Sequence, residues 1–343
     1  MKAAPVYKAL SAKGHRQTLV HTGQHYDPQM SDVFFPQLGM PEPDDNLNVG
    51  SGSHAQQTAA VICRFEHVVQ ERRPDLVLVY GDVNSTAAAA LVCVKIGIRV
   101  GHVEAGLRSF DRSMPEEINR LVTDQLSDLL FTSSEDGDVN LAREGIYKEK
   151  VHFVGNVMID TLVRLLPEAD ETYPYLKKEL SLESFGLITL HRPSNVDDEA
   201  VFLPMLDVLD QLSHELPLVF PVHPRTRNKW ASRLQNCNPN LRMIQPLGYV
   251  HFLALQKHAK VVITDSGGIQ EESTYLRVPC LTLRENTERP VTISMGTNVL
   301  IGRNWDLLRE AFSRSLSAPR KNGPLPPLWD GRAALRIAEV LSR

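Results

Sequence analysis

The segment 265–272 has the sequence DSGGIQEE and directly follows the apolar residues 261–264. A buried strand that runs into Ser-Gly-Gly and then a helix leaves unpaired backbone N–H groups at the helix start, and these groups favour phosphate. Ser266, Gly267 and Gly268 are therefore candidate phosphate-binding residues. Glu272 lies one turn into the predicted helix, where its carboxylate can accept two hydrogen bonds from a ribose diol. Together these residues predict a site for a nucleoside diphosphate.

Two carboxylates in the first half of the chain are candidates for acid and base chemistry. Asp82 follows the apolar strand predicted at 76–80, and Glu104 lies near the end of the segment 99–106, RVGHVEAG. In open α/β sheets, ligands lie beyond the carboxyl ends of the strands. Both side chains are therefore predicted to face a cleft.

Glu116 is a third candidate, in the segment 114–120 with the sequence MPEEINR. A proline at this position indicates the first turn of a helix. The simpler explanation is that Glu116 and Glu117 favour the positive end of the helix and pair with Arg120. The presence of Asp82 and Glu104 in the same half of the chain favours a catalytic role for Glu116.

His191 follows the first predicted strand of the second half, so it should face the same cleft from the other side. A histidine can give a proton to a leaving phosphate near neutral pH, although one at a strand end also serves as a local hydrogen-bonding group.

Arg289, in the turn 284–290, could belong to a solvated charge cluster, yet its guanidinium suits a diphosphate. His223, Arg225 and Arg227 follow another strand and could extend the positive field.

Short apolar runs alternate with helical patterns along the whole chain, which predicts an α/β fold with parallel sheets. Strands are predicted at 17–22, 76–80, 100–103, 129–132 and 152–154, and then at 187–190, 218–222, 242–245, 261–264, 280–283 and 299–301. The interpretation is two Rossmann-like, doubly wound domains, at 1–155 and 156–322, and a C-terminal helix within 323–343 that packs back on the first. A helix at 157–166 is predicted to lead into an acidic loop at 168–175.

The glycine-rich segment 50–55, GSGSHA, has the spacing of a dinucleotide-binding fingerprint. The preceding residues 43–49 are too polar for a central strand, so the fingerprint is rejected. A glycine-rich loop with Ser53 as a helix cap explains the pattern.

The length of 343 residues favours two domains, and the apolar fraction of 42% is that of an ordinary globular protein. A net charge of −4 without a large basic cluster argues against nucleic acid as a partner. The four cysteines are far apart and form no C-x-x-C pair, so they are interpreted as reduced thiols. No apolar run reaches the length of a membrane span or signal peptide, and a cytoplasmic location is expected.

These motifs fall in one order that resembles the non-hydrolysing UDP-N-acetylglucosamine 2-epimerases. The segments are 81–82, 101–108, 115–120, 191–192, 265–272 and 287–290, and the resemblance runs from Met1 to the final helix. It implies a glycosyltransferase-B-like fold with the active site in the cleft between two domains. It also implies a homodimer that interconverts UDP-GlcNAc and UDP-ManNAc without NAD or an obligatory metal.

By this resemblance, Asp82, Glu104 and Glu116 are the acid and base candidates, and His191 and Arg289 would stabilise the departing diphosphate. The sugar C2–H bond has no adjacent carbonyl, so UDP must leave before this hydrogen becomes acidic. Elimination to a 2-acetamidoglucal and re-addition of UDP would then invert C2.

The sequence departs from the family at three places. Family members begin with a strand and a Gly-Thr-Arg-Pro-Glu turn whose arginine contacts the nucleotide, and residues 1–5 align just after it. The first domain is therefore expected to lack its first strand, and the chain to be marginally soluble and weakly active or inactive. Ser194 stands where many relatives have glutamate. The loop 22–27 resembles a branch that includes UDP-2,3-diacetamido-glucuronate 2-epimerases.

Some relatives have a second, regulatory substrate site, whose matching positions here are Gln24, Arg64 and His223. Asp27 stands where those relatives have a polar amide, so allosteric activation does not follow from the resemblance. The competing functions are a glycosyltransferase of the same fold and a non-catalytic UDP-sugar sensor. The three carboxylates favour an epimerase over both.

Overall fold

The computed structural model describes residues 1–24, 35, 37–317 and 323–343. These residues form two compact units, of which unit 1 contains Met1–Thr161 and Pro327–Arg343, and unit 2 contains Leu162–Pro326. Each unit is α/β with parallel strands, which confirms the predicted fold class. In the described part of the chain, no helix has both the length and the apolar character that crossing a membrane requires.

Unit 1 begins with helix α1 (Ala3–Ala12) and a pair of short parallel strands, β1 (Val20–His21) and β2 (Asp45–Asn46). The following elements are α2 (His54–Arg72), β3 (Leu76–Tyr80), α3 (Asn84–Lys95), β4 (Arg99–Ala105), α4 (Pro115–Leu126), β5 (Leu129–Thr132), α5 (Glu135–Arg143) and β6 (Val151–Phe153). Strands β3 to β6 form a parallel sheet in sequence order. Within the described residues, β1 and β2 form a separate sheet.

Local sequence explains two of these helix starts. Ser53 caps α2 through its side chain, which confirms the predicted cap, and Gln56 completes the capping box. The polar segment 43–49 before this loop was predicted not to form a central strand. In the structure it contains the two-residue strand β2, which pairs only with β1 among the described residues. Pro115 occupies the first turn of α4, as predicted.

Helix α6 (Val157–Glu179) corrects the prediction of an acidic loop at 168–175. The helix continues through Pro167 and Pro174 instead of ending before them. Leu165, Ala169 and Leu176 are buried at helical spacing, so packing on one face outweighs the two backbone hydrogen bonds that the prolines cannot donate.

Unit 2 continues the alternation of strands and helices. Its elements are β7 (Gly186–Thr189), α7 (Pro193–Val196), α8 (Glu199–Ser213), β8 (Leu218–Pro221), α9 (Pro224–Lys229), α10 (Ala231–Leu234), β9 (Leu241–Ile244), α11 (Tyr249–His258), β10 (Val262–Thr264), α12 (Gly267–Leu276), β11 (Cys280–Thr282), α13 (Val291–Ser294), β12 (Asn298–Leu300) and α14 (Trp305–Ser317). All six predicted strands are present, and the sheet order is β9-β8-β7-β10-β11-β12. The order reverses between β7 and β10, and ligands bind at the carboxyl ends of strands at such a reversal.

The last helix, α15 (Ala333–Leu341), belongs to unit 1. The Asp160 carboxylate accepts hydrogen bonds from the backbone N–H groups of Ala333 and Ala334. Ile337 is buried against α1 and β4 in the same apolar cluster as Val6 and Val103. The final helix is therefore a structural part of the first unit.

Candidate active site

The reversal point of the unit 2 sheet carries the segment that was predicted to bind phosphate. Strand β10 ends at Thr264, and Ser266 caps helix α12 with extended backbone and without a side-chain hydrogen bond to the helix. The first-turn N–H groups of a helix have no partner within the helix. Gly267 and Gly268 therefore present backbone donors where strand β10 meets helix α12, as the sequence predicted.

Asp265 ties the ends of β7 and β10 together. Its buried carboxylate accepts hydrogen bonds from the backbone N–H groups of His191 and Arg192 and from the Asn195 side chain. Burial alone would raise the pKa of Asp265, but its contacts with His191 and these other donors hold the pKa below its ordinary value. Asp265 is therefore an ionised structural anchor at the carboxyl ends of both strands.

His191 is exposed and contacts the Asp265 carboxylate. Its ring atom Nδ1 lies 2.9 Å from Asp265 Oδ1, and its side chain is 60% exposed. Asp265 thus holds the ring through Nδ1 and leaves most of the side chain exposed, an arrangement compatible with proton donation to a ligand.

Arg289 is buried and lies against the start of α12. Its guanidinium is within 2.9 Å of Glu271 and 2.5 Å of Glu288, and a Cβ atom at Gly267 would lie 2.5 Å from Nη1. Gly267 therefore allows the guanidinium to approach the helix start. Burial would raise the pKa of Glu288, but Arg289 and Arg284 outweigh it and hold the pKa far below its ordinary value. The two arginines and two glutamates form a buried cluster, so Arg289 has carboxylate partners within unit 2.

Glu272 is the other predicted nucleotide ligand, and it is 2% exposed. Its Oε1 accepts a hydrogen bond from the Tyr249 hydroxyl at 2.8 Å. Its Oε2 has no hydrogen-bond partner among the described residues. Burial raises the pKa of Glu272 to about 7, with Tyr249 opposing this change and Glu271 adding to it. An acceptor without a partner at this position is what a ribose hydroxyl would satisfy.

In unit 1, Asp82 lies in the turn between β3 and α3 and is one quarter exposed. Its carboxylate forms an ion pair with Arg120, a buried residue of α4. The Asn119 side chain donates to the backbone carbonyl of Asp82 at 2.9 Å. Helix α4 therefore holds both the backbone and the side chain of Asp82.

Glu117 is the other partner of Arg120, at 2.6 Å. Its buried carboxylate also accepts hydrogen bonds from the backbone N–H groups of Ser109 and Phe110. Burial would raise the pKa of Glu117, but these donors and Arg120 hold it below its ordinary value. The simpler explanation of the segment 114–120 thus applies to Glu117. Glu116 is half-buried in the first turn of α4.

Glu104 lies in β4 at an irregularity of the sheet. Its φ angle is 75°, and the register with β5 shifts between Val103 and Ala105. A non-glycine residue in this conformation is strained, and such strain concentrates at functional sites. The buried Glu104 carboxylate forms an ion pair with Lys2, which precedes α1.

The candidate regulatory residues all have partners within their own units. Gln24 accepts a hydrogen bond from the backbone of Ser85, and Arg64 donates to the carbonyls of Leu47 and Asn48. His223 caps the short helix α9 by accepting from Arg225. Asp27 and the loop that contains it lie outside the described residues.

Four residues of these sites were not assigned from the sequence, namely Lys2, Arg120, Tyr249 and Asp265. Arg120 was considered only as a partner of neighbouring glutamates, and Asp265 only as part of a motif. The buried face of α4 is polar, with Glu117, Thr123 and Asp124 beside Arg120, so the apolar pattern of the helix gave no signal that Arg120 is buried. Lys2 and Tyr249 gave no local signal, because their partners are distant in the sequence.

Comparisons with known proteins identify the family of the chain. The family model described as UDP-N-acetylglucosamine 2-epimerase matches residues 8–342. A UDP-N-acetylglucosamine 2-epimerase of Methanococcus maripaludis is 40% identical, over 99% of this chain and 94% of the relative. A UDP-2,3-diacetamido-2,3-dideoxy-D-glucuronate 2-epimerase of Pseudomonas aeruginosa is 38% identical, over 100% and 96%. The crystal structure of Methanocaldococcus jannaschii UDP-GlcNAc 2-epimerase, in complex with UDP-GlcNAc and UDP, has a TM-score of 0.92 and 39% identity and covers 99% of this chain and 96% of that chain.

Proposed function

The chain belongs to the UDP-N-acetylglucosamine 2-epimerase family, and we propose that it interconverts UDP-GlcNAc and UDP-ManNAc by elimination and re-addition of UDP. The observation that carries the proposal is the set of carboxylates in unit 1. Asp82, Glu104 and Glu116 lie in the turn after β3, near the end of β4 and at the start of α4. Inversion at C2 takes a proton from one face of the sugar ring and returns one to the other, so it needs at least one acid or base group on each face, and these carboxylates would supply them.

The proposed reaction begins with cleavage of the bond between C1 and the diphosphate oxygen, whose electron pair leaves with UDP. The anomeric carbon gains oxocarbenium character, which acidifies the C2 hydrogen. A carboxylate removes that proton, and the C2–H electrons form the C1–C2 double bond of 2-acetamidoglucal. Protonation of C2 from the opposite face and attack of UDP on C1 give the epimer.

The departing UDP is assigned to unit 2. Backbone N–H groups of Ser266, Gly267 and Gly268 would hold the diphosphate at the start of α12. Glu272 would accept the ribose hydroxyls. Arg289, next to the same helix start, would stabilise the charge that develops on the leaving group.

His191 would donate to the leaving diphosphate from its exposed ring nitrogen. The contact with Asp265 supports this role, because it fixes the ring through Nδ1 and so directs Nε2 outward. In the reverse direction the same group would take the proton back as UDP attacks C1.

The second candidate substrate is UDP-2,3-diacetamido-glucuronate. The full-length similarity to the Pseudomonas protein favours it, at nearly the same identity as the similarity to the Methanococcus protein. The two substrates differ at C3 and C6 of the sugar, and a direct assay with both nucleotide sugars distinguishes them.

A homodimer is proposed as the assembly. Val94 and Ile96 at the end of α3 and Ile118 and Val122 on α4 are exposed apolar residues on helices that pack together. A second copy would cover this surface. Light scattering coupled to gel filtration should give twice the mass of one chain, and Ile118→Glu should shift it towards one chain.

Proton NMR of the protein with UDP-GlcNAc in deuterium oxide tests the proposed reaction. We expect both epimers to form and deuterium to enter C2, because the C2–H bond is broken and reformed with solvent. Epimers without deuterium would contradict this mechanism and indicate either a shielded proton or hydride transfer. Absence of turnover with UDP-GlcNAc but turnover with the diacetamido substrate would replace the first candidate with the second.

A further inference from the structure

His102 and Asp124 form a fully buried pair in unit 1, which the proposed chemistry does not use. His102 lies on β4, and its Nδ1 is 2.6 Å from Asp124 Oδ1 on α4. Its Nε2 is 2.8 Å from the backbone carbonyl oxygen of Gly81. The side chains of both residues are 0% exposed, so neither reaches a ligand.

The partners decide the protonation of the ring. A backbone carbonyl can only accept, so Nε2 must carry a proton. Asp124 is ionised, because its second oxygen accepts from Gly106 N at 3.1 Å and faces Arg108 at 2.7 Å. Burial would raise the pKa of Asp124, but His102 and Arg108 hold it below its ordinary value. Both ring nitrogens of His102 therefore lie against oxygen atoms that accept hydrogen bonds.

The pair connects the three elements that carry the proposed catalytic carboxylates. Gly81 immediately precedes Asp82, has a φ angle of 68° and donates its N–H to Val103 of β4. His102 precedes Glu104 by two residues on the same strand, and Asp124 lies on the helix that begins with Pro115 and Glu116. The hydrogen bonds of one imidazole ring thus join the turn after β3 to β4 and α4.

We propose that His102 is a positioning residue, which fixes the backbone of Asp82 by donating its Nε2–H to the Gly81 carbonyl. The inference rests on the proposed function, in which Asp82 contacts the substrate. Asp82 is then held by three contacts, from His102 through the Gly81 carbonyl, from Asn119 through its own backbone carbonyl and from Arg120 through the carboxylate. A displacement of about 1 Å at such a group is enough to lower a rate a hundredfold.

Two substitutions separate the two halves of the His102 contact. In His102→Gln the side-chain amide nitrogen stands near the place of Nε2 and can still donate to Gly81. In His102→Asn the shorter amide stands near the place of Nδ1, so it can donate to Asp124 and leaves Gly81 without a donor. The two variants have the same polarity and charge, and they differ in whether a donor reaches the Gly81 carbonyl.

We expect His102→Gln to keep kcat within about threefold of the wild type and His102→Asn to lower it about tenfold or more, the effect of one lost hydrogen bond. KM and UDP affinity should change little in both, because UDP is assigned to unit 2. In an Asp82→Asn background, His102→Asn should lower kcat less than about twofold, since both changes act through the same carboxylate.

Three results would overturn the proposal. Equal kcat losses for the Gln and Asn variants would show that the Gly81 bond is not the relevant one. If His102→Asn still lowered kcat tenfold in the Asp82→Asn background, His102 would have a general structural role. If His102→Asn does not fold, a tenfold kcat loss in His102→Gln at the wild-type melting temperature would also overturn it. A wild-type chain that epimerises neither nucleotide sugar would instead remove the proposed function.

Discussion

Replacing Glu272 with glutamine is expected to change nucleotide binding and stability in opposite directions. A ribose diol donates two hydrogen bonds, so the ionised carboxylate is the form that binds it. Burial raises the pKa of Glu272 to about 7, so the ionised fraction is roughly one tenth at pH 6 and nine tenths at pH 8. Wild-type UDP affinity, relative to the Glu272→Gln variant, should therefore rise about tenfold across this range.

The size of the binding loss follows from the hydrogen bonds. Glutamine can still accept from Tyr249 with its oxygen, but its amide nitrogen cannot accept a ribose hydroxyl. A hydrogen bond to a charged acceptor contributes about 1.5 to 3 kcal/mol, so the variant should bind UDP roughly ten to a hundred times more weakly at pH 8.

Without nucleotide the effect on stability has the reverse sign. The pKa of about 7 in the folded chain exceeds the ordinary value of 4.5, so the folded chain binds more protons between these two pH values. The free energy of unfolding must then fall as pH rises through this window. The difference corresponds to roughly 3 kcal/mol, which glutamine avoids because it stays neutral. The variant should melt several degrees higher than the wild type at pH 8, and the gap should close towards pH 5.

Calorimetric titration with UDP at pH 6, 7 and 8, together with thermal melts of both proteins, measures the two effects. The terminal phosphate of UDP itself titrates near pH 6, so the ratio of wild-type to variant affinity is the relevant quantity. A ratio that does not depend on pH, or a variant that is no more stable at pH 8, would refute the reasoning.

Three further predictions concern the other site residues. Asp82→Asn, Glu104→Gln and Glu116→Gln should each lower epimerase turnover about a hundredfold or more and leave UDP affinity nearly unchanged in calorimetric titration, the expected result for acid and base groups. Arg289→Lys should weaken UDP binding while keeping a cation for the buried glutamates, and wild-type affinity in this variant would remove Arg289 from the nucleotide site. Glu104→Gly should be more stable than Glu104→Ala by about 1 kcal/mol in denaturant unfolding, because only glycine relieves the positive φ angle, and equal stabilities would show that the strain is absent.

The fold of unit 2 could be predicted strand by strand because its buried strands are short apolar runs bounded by turn residues. In unit 1, the strand predicted at 17–22 is only the two residues of β1, and β2 lies in the polar segment 43–49, where no strand was predicted. The helix beyond 166 could not be predicted, since Pro167 and Pro174 are ordinarily signals of a helix end. Burial of its apolar face decided that segment, and burial is a property of the folded chain.

The candidate site shows the same division. Strand-end carboxylates and a glycine-rich helix start follow a general rule of parallel sheets, so Asp82, Glu104 and Ser266 could be predicted from position alone. Their partners could not be, because Lys2 meets Glu104, and Tyr249 meets Glu272, only after the chain has folded.

The adjacent residues Glu116 and Glu117 illustrate why the sequence left two explanations open. Both are carboxylates in the first turn of α4, and either could favour the helix start or pair with Arg120. In the structure Glu117 is buried and its carboxylate accepts from Ser109, Phe110 and Arg120, so its acceptor capacity is used within the protein. The structural explanation therefore applies to Glu117, and the catalytic one stays a prediction for Glu116. Because Glu117 fixes Arg120 and Arg120 fixes Asp82, the buried glutamate would act in the proposed reaction only through the position of a carboxylate that it does not touch.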